Sequence, residues 1–262
     1  MTQAIILAAG QGTRLRPITN EIPKCLVPFK GISLLERQVT TLRKTGIEVI
    51  HIATGYKAEK IESLGFKTSF NSRYEDTNMV ESLFGAIDFL RECEEDLIIS
   101  YGDIIYEEKN LIALLSSEDD ISIMIDKDWH ALWSLRNENP LDDAETLVLD
   151  KNNYILELGK KPKDYKNIHG QYTGLIKVKA KKIKDLINFY NNLDRNLTYD
   201  GNEFFKMYMT SFIQLLINAG YMVKAVNVSN GWLEIDSVED LRKYEELYDS
   251  GLLSRIYKIT NL

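Results

Sequence analysis

An apolar, β-branched run at residues 3–9 ends directly in Gly10-Gln11-Gly12-Thr13-Arg14. This juncture constrains the fold more than any other feature of the chain. A short, uninterrupted apolar run suits a strand buried on both faces, and such strands belong to parallel sheets covered by helices. A glycine-rich turn at its carboxyl end lets backbone N–H groups approach an anion, because no Cβ stands in the way.

The rest of the chain continues the alternation. Ser33 reads as a helix cap, with Leu35, Val39 and Leu42 on one face and Gly46 at the end. Residues 48–54 form the next expected strand, and Met79, Leu83, Ile87 and Leu90 mark one amphipathic helix. Buried-type strands follow at 96–101 and 121–126. Between about 126 and 163 the pattern breaks into tryptophans, charges and a turn-rich stretch. This reads as an insertion at the substrate end of the sheet, with short antiparallel strands near 146–150 and 154–158. A strand at 172–178, helices at 180–193 and 202–219, a strand at 222–228 and a helix from Ser237, with Ser237 and Asp240 as a capping box, complete the reading. The expected fold is α/β: a Rossmann-like, mostly parallel mixed sheet covered by helices, spanning 1–262 as one domain with a small antiparallel insertion.

Composition narrows the function. The 262 residues carry a net charge of −7, which repels a nucleic-acid polymer but not a mononucleotide. No apolar run reaches the ~20 residues of a membrane span, and the N-terminus lacks a basic leader, so a cytoplasmic location is expected. Two cysteines supply neither a disulfide framework nor a cysteine-rich metal site. Oligomeric state is left open, a homo-oligomer included.

The first loop fails two common phosphate-binding patterns. The dinucleotide fingerprint needs a third glycine where Leu15 stands, which also removes a nicotinamide-dependent dehydrogenase from consideration. The Walker pattern needs a Gly-Lys-Ser/Thr that is absent. The loop instead brings Arg14 and Arg16, and Lys24 follows in Pro23-Lys24-Cys25-Leu26. Three cations this close suit a triphosphate.

Residues 7–16 together with Pro23-Lys24-Cys25-Leu26 closely resemble the sugar-nucleotidylyltransferase superfamily. The resemblance implies transfer of a nucleoside monophosphate from an NTP to a phosphorylated metabolite, with release of pyrophosphate. It implies that Leu7, Ala8, Ala9, Gly10, Gly12, Thr13 and Arg14 wrap the NTP, that Arg14 and Lys24 neutralise charge at the reacting phosphate, and that Asp103 and Asp236 hold Mg²⁺. Tyr101 and Gly102 precede Asp103 at the carboxyl end of a buried strand, where α/β sheets place ligands. For Asp236, helix capping beside Ser237 is the competing reading.

Residues 71–83 resemble the CTP-using branch, which includes phosphocholine and aminoethylphosphonate cytidylyltransferases. Asn71, Asn78 and Ser82 would line the base pocket there, although Asn78 also reads as a helix cap. On the acceptor side, Trp129, Trp133, Arg136, Lys160, Lys161, Tyr172 and Trp232 are the candidates, with each tryptophan alone equally explained by packing. Residues 128–147 resemble cytidylyltransferases of bacterial capsule clusters, which implies glutamine phosphate as acceptor and a part in capsule phosphoramidate synthesis. Arg136 is expected to grip a carboxylate of that acceptor. The rival readings are a phosphocholine or aminoethylphosphonate cytidylyltransferase, a hexose-1-phosphate nucleotidylyltransferase, and a non-catalytic nucleotide-binding paralogue.

Overall fold

The computed structural model describes residues 2–259. In chain order its principal strands are β1 (Thr2–Ala8), β2 (Ile50–Thr54), β3 (Lys67–Phe70), β4 (Asp96–Tyr101), β5 (Ile104–Tyr106), β6 (Ile121–Asp126), β7 (Leu147–Leu149), β8 (Ile155–Leu158), β9 (Gln171–Val178), β10 (Val223–Val228) and β11 (Trp232–Glu234). Its principal helices are α1 (Leu34–Lys44), α2 (Met79–Gly85), α3 (Ile87–Glu92), α4 (Glu108–Leu115), α5 (Trp129–Arg136), α6 (Ala180–Asn192), α7 (Met209–Asn218) and α8 (Val238–Asp249).

Seven strands form the central sheet in the order β10-β6-β9-β4-β1-β2-β3. All neighbours are parallel except β9, which runs antiparallel to both β4 and β6. The apolar run of β1 explains the covering. Ala4, Ile6 and Ala8 face one core, where they meet Leu35, Val39 and Leu42 of α1, Leu111 and Leu114 of α4, and Leu241 and Tyr244 of α8. Ile5 and Leu7 face the other, with Val80 and Leu83 of α2, Leu186 of α6 and Phe212 of α7. Side chains alternate across a strand, so only a continuous apolar run can feed two cores.

The expected caps are present. The Ser33 hydroxyl accepts from the Glu36 N–H at 3.1 Å. Ser237 and Asp240 form both legs of a capping box at the start of α8. Each such cap contributes about 1 kcal/mol.

Four local expectations differ from the structure. The single helix marked by Met79 to Leu90 is two, α2 and α3, because Ala86 leaves helical geometry at their junction. The helix expected from 202 begins at Met209; a two-stranded hairpin and a 3₁₀ turn (Phe204–Lys206) take up the preceding residues. The insertion carries a helix, α5, that its mixed composition hid. Its strands β7 and β8 do pair antiparallel. Finally, β5 and β11 pair as a separate antiparallel ribbon that the sequence did not suggest.

Candidate active site

The loop after β1 is shaped by close approach. Gly12 has φ +65°, and a Cβ there would lie 2.9 Å from Cβ of Lys24. Glycine is required on both counts, since left-handed backbone disfavours a side chain and no space remains for one. The Thr19 hydroxyl donates to the Gly12 carbonyl at 2.7 Å and holds the loop closed. Leu15, the residue that breaks the dinucleotide fingerprint, is fully buried and anchors the loop to the core.

Parallel pairing sets β1 beside β4, with Leu7 opposite Tyr101. The Gly102 N–H donates to the Leu7 carbonyl at 2.9 Å, and a Cβ at 102 would come within 2.7 Å of that oxygen. Glycine therefore lets the end of β4 close against β1, which brings Asp103 to the mouth of the loop. The ribbon supplies the second carboxylate. Glu234 of β11 pairs with Ile104 of β5, and the Ile235 N–H donates to the Asp103 carbonyl at 3.0 Å. The indole of Trp232 donates to Asp126 at 3.1 Å and pins the ribbon to the end of β6.

Lys24 lies between the two acids. Its Nζ is 2.6 Å from Oδ2 of Asp103 and 2.5 Å from Oδ1 of Asp236. The Arg14 guanidinium pairs with the other oxygen of Asp236. Burial alone would lower the lysine's pKa, but Asp103 and Asp236, with Glu234 behind them, outweigh it and raise the ammonium above its ordinary value. Burial likewise pushes Asp236 up, and Lys24, Arg14 and Arg136 overcome it, leaving the carboxyl below the ordinary range. Lys24 and Asp236 are therefore each held in the charged form. Asp236 does not cap α8: that role belongs to Ser237 and Asp240, and Asp240 also accepts from the Asp236 N–H at 3.2 Å.

A cavity of about 260 Å³ opens above this cluster. It is lined by Leu7, Ala8, Ala9, Gly10, Gly12, Thr13 and Arg14 from the loop, by Asn78 and Ser82, and by Lys24, Gly102, Asp103 and Asp236. Asn78 serves two purposes, since its side chain also accepts from the Met79 N–H at 2.8 Å. Two expected residues are placed otherwise. Asn71 stands behind the wall, donating to Thr77 at 2.9 Å and Ser82 at 3.0 Å, so it orients the lining rather than forming it. The Tyr101 side chain faces the neighbouring cavity. Tyr74, Thr77, Met79 and Cys25 also line this first cavity. The first three lie inside the 71–83 segment, which was the available signal.

The adjoining cavity, about 180 Å³, shares Met79 with the first. Tyr172, Trp133 and Trp232 line it, together with Tyr101, Tyr208 and the acids Asp143, Glu145 and Glu234. Four residues expected here are elsewhere. Arg136 is buried, its guanidinium committed to Glu234 at 2.6 Å and Asp240 at 3.2 Å, so the expected grip on an acceptor carboxylate gives way to an internal ion pair. Lys160 is exposed and donates to Glu157 at 2.5 Å. Lys161 donates to the carbonyls of Leu141 and Asp142 and closes the insertion loop. Trp129 packs edge-on against Trp133, in the core beneath α5. The described lining of this second cavity is thus acidic and aromatic, with no lysine or arginine among those residues.

Comparison with known proteins agrees with this geometry. Residues 4–153 match the family described as the MobA-like NTP transferase domain. The chain is 42% identical over 246 residues to the CTP:phosphoglutamine cytidylyltransferase of Campylobacter jejuni, covering 91% of this chain and 97% of that one. It is 27% identical to the choline-phosphate cytidylyltransferase of Streptococcus pneumoniae over 94% of this chain and 97% of the relative. The inositol-1-phosphate CTP transferase from T. maritima superposes with a TM-score of 0.73 at 25% identity, covering 100% of this chain and 98% of that one. The chain belongs to the MobA-like NTP transferase family and is a nucleotidyltransferase.

Proposed function

We propose that this enzyme transfers CMP from CTP to glutamine phosphate and releases pyrophosphate. The observation that carries this reading is the pair of adjoining cavities: a loop pocket built on Lys24, Arg14 and two carboxylates, next to a small acidic and aromatic chamber. The near full-length likeness to a phosphoglutamine enzyme supports the choice of acceptor.

The chemistry is an in-line displacement. An oxygen of the acceptor phosphate forms a bond to the α-phosphorus, and the bond from that phosphorus to the pyrophosphate oxygen breaks. A phosphate monoester has a second pKa near ~6, so the nucleophile is already ionised at neutral pH and needs no general base. Lys24 and Arg14 neutralise the charge that gathers on the reacting phosphate, and the loop's N–H groups hold the chain of phosphates in line. The walls formed by Asn78, Thr77 and Ser82 offer the donors and acceptors that a cytosine edge requires.

Mg²⁺ fits the two carboxylates. Asp103 and Asp236 both reach a single cation, the Lys24 ammonium, and Oδ1 of Asp103 is buried with no hydrogen-bond partner. Magnesium is an ion that takes one or two carboxylates and completes its shell with phosphate oxygens and water. Bound there, the ion would withdraw charge from the transferring phosphate. Lys24 must leave one carboxylate to make room, and its ammonium would then turn to the phosphates.

A pyrophosphate-release assay crossing the four NTPs with glutamine phosphate, phosphocholine, aminoethylphosphonate and a hexose 1-phosphate tests the reading. Release confined to CTP with glutamine phosphate is the expected pattern. Preference for a hexose phosphate would overturn it.

A further inference from the structure

We propose that Arg136 and Asp240 are positioning residues for Asp236: the guanidinium, carried on the insertion helix α5, holds the corner between β11 and α8 from both sides and so fixes where the Asp236 carboxylate stands. The inference rests on the reading above that Asp236 is a metal carboxylate, and it adds what keeps that carboxylate in place.

The guanidinium brackets Asp236. Nη1 donates at 2.6 Å to Glu234, two residues before it, and Nε donates at 3.2 Å to Asp240, four residues after it. The Arg136 and Asp240 side chains are both 8% exposed, so this pair is little screened by solvent or salt. A buried ion pair adds little net stability over well-packed apolar residues. Stability alone therefore does not account for one at this corner.

Asp240 carries the hold to the backbone. A capping box requires only the bond from the Ser237 N–H, which Oδ2 accepts at 3.0 Å. The same oxygen also accepts from the Asp236 N–H at 3.2 Å, and Oδ1 accepts from Arg136. Two bonds thus lie outside the cap: one reaches Asp236 directly and the other ties the corner to α5. On the opposite side the Ile235 N–H is fixed to the Asp103 carbonyl. With the backbone held before and after it, the Asp236 carboxylate is delivered to Lys24. Helix α5 also supplies Trp133, which lines the second cavity and whose ring lies 5.7 Å from the Arg136 guanidinium. The insertion that walls that cavity thereby sets a carboxylate of the first.

The test begins with the wild-type enzyme free of metal and substrate, where no variant need fold. Hydrogen exchange resolved by NMR should show the Asp236 and Ser237 amides protected; exchange as fast as in an unstructured peptide would overturn the inference. Three variants follow. Asp240→Ala removes both backbone bonds, Asp240→Asn keeps an oxygen for them without the charge that holds Arg136, and Arg136→Lys loses the fork that spans Glu234 and Asp240. In Asp240→Ala, exchange at Asp236 should quicken. With CTP and glutamine phosphate, kcat should fall and the Mg²⁺ concentration for half-maximal activity should rise, each by about 10–100-fold, the range for losing a group that orients a metal ligand. The KM for CTP should not change. Asp240→Asn should recover part of each effect, and Arg136→Lys should shift the Mg²⁺ response in the same direction. Assays are run below the onset of each variant's thermal unfolding, where a role in stability alone leaves kcat and the Mg²⁺ response at wild-type values. Such values in folded variants would overturn the inference. Asp236→Asn, measured alongside, separates the two readings. An unchanged Mg²⁺ response there defeats the metal assignment itself, whereas a shift there with none in the Asp240 and Arg136 variants defeats only the positioning role. No turnover of glutamine phosphate by the wild type would defeat the acceptor reading, and amide exchange would still decide this one.

Discussion

The backbone N–H of Ile235 donates to the carbonyl of Asp103 at 3.0 Å. This bond extends the β5–β11 ribbon by one step and sets Asp236 beside Asp103, although about half of the chain separates them. Lys24, positioned by its packing on Gly12, closes the triangle. The candidate centre therefore depends on three local structures meeting: a glycine loop, a strand end and a short ribbon.

Lys24→Ala should lower the rate of pyrophosphate release by about 10²–10³-fold, the range seen when one group that stabilises a transition-state charge is removed. Far-UV circular dichroism should stay native, because Arg14 still pairs with Asp236. Activity within a few-fold of wild type would remove Lys24 from the mechanism.

Asp103→Asn and Asp236→Asn should each raise the Mg²⁺ concentration needed for half-maximal activity by tenfold or more, since the ion takes few protein ligands and losing one leaves a single carboxylate. Calorimetry should still register CTP binding through the loop. An unchanged Mg²⁺ response in both variants would refute the metal assignment.

Arg136→Ala should act on stability before it acts on the acceptor. The Arg136 side chain is 8% exposed and pairs with Glu234 and Asp240. Removing one partner of a buried ion pair costs about 3–5 kcal/mol, measurable as a shift in the denaturant midpoint. A loss below about 1 kcal/mol, with a rise in acceptor KM, would restore the direct role that the sequence suggested.

Much of the site was readable because it is local. The loop from Leu7 to Arg14 and the Pro23-Lys24 step lie close along the chain, and their glycines and cations carry meaning without a fold. Arg136 misled for the opposite reason: sequence shows a charge but not its partners, and Glu234 and Asp240 arrive from the far end of the chain. The start of α7 was placed too early because residues 202–208 are as compatible with a helix as those that follow. That error hid Tyr208, Met209 and Thr210 from the acceptor side. Glu145 went unnoticed within a segment examined for its tryptophans and its arginine.

Glu145 also gives a pH signature. Burial, reinforced by Asp143 and Glu234, pushes its carboxyl up to about 7. A raised acid binds more protons folded than unfolded between about 4.5 and 7, so stability falls as pH rises through that window, and the whole cost is present above it. The cost is on the order of 3 kcal/mol. Denaturation of wild type and Glu145→Gln at pH 5 and pH 8 should show the wild type losing more stability between the two, and the variant more stable at pH 8. Parallel curves would contradict the placement of Glu145 in a dry, acidic cavity.

The most direct measurement is the identity of the product formed from CTP and glutamine phosphate with Mg²⁺, followed by ³¹P NMR and mass spectrometry. The account predicts equimolar pyrophosphate and a new species in which CMP is joined through a phosphoanhydride to the phosphate of glutamine phosphate. Unreacted CTP in that mixture, with conversion when phosphocholine or a hexose 1-phosphate replaces the acceptor, would contradict it.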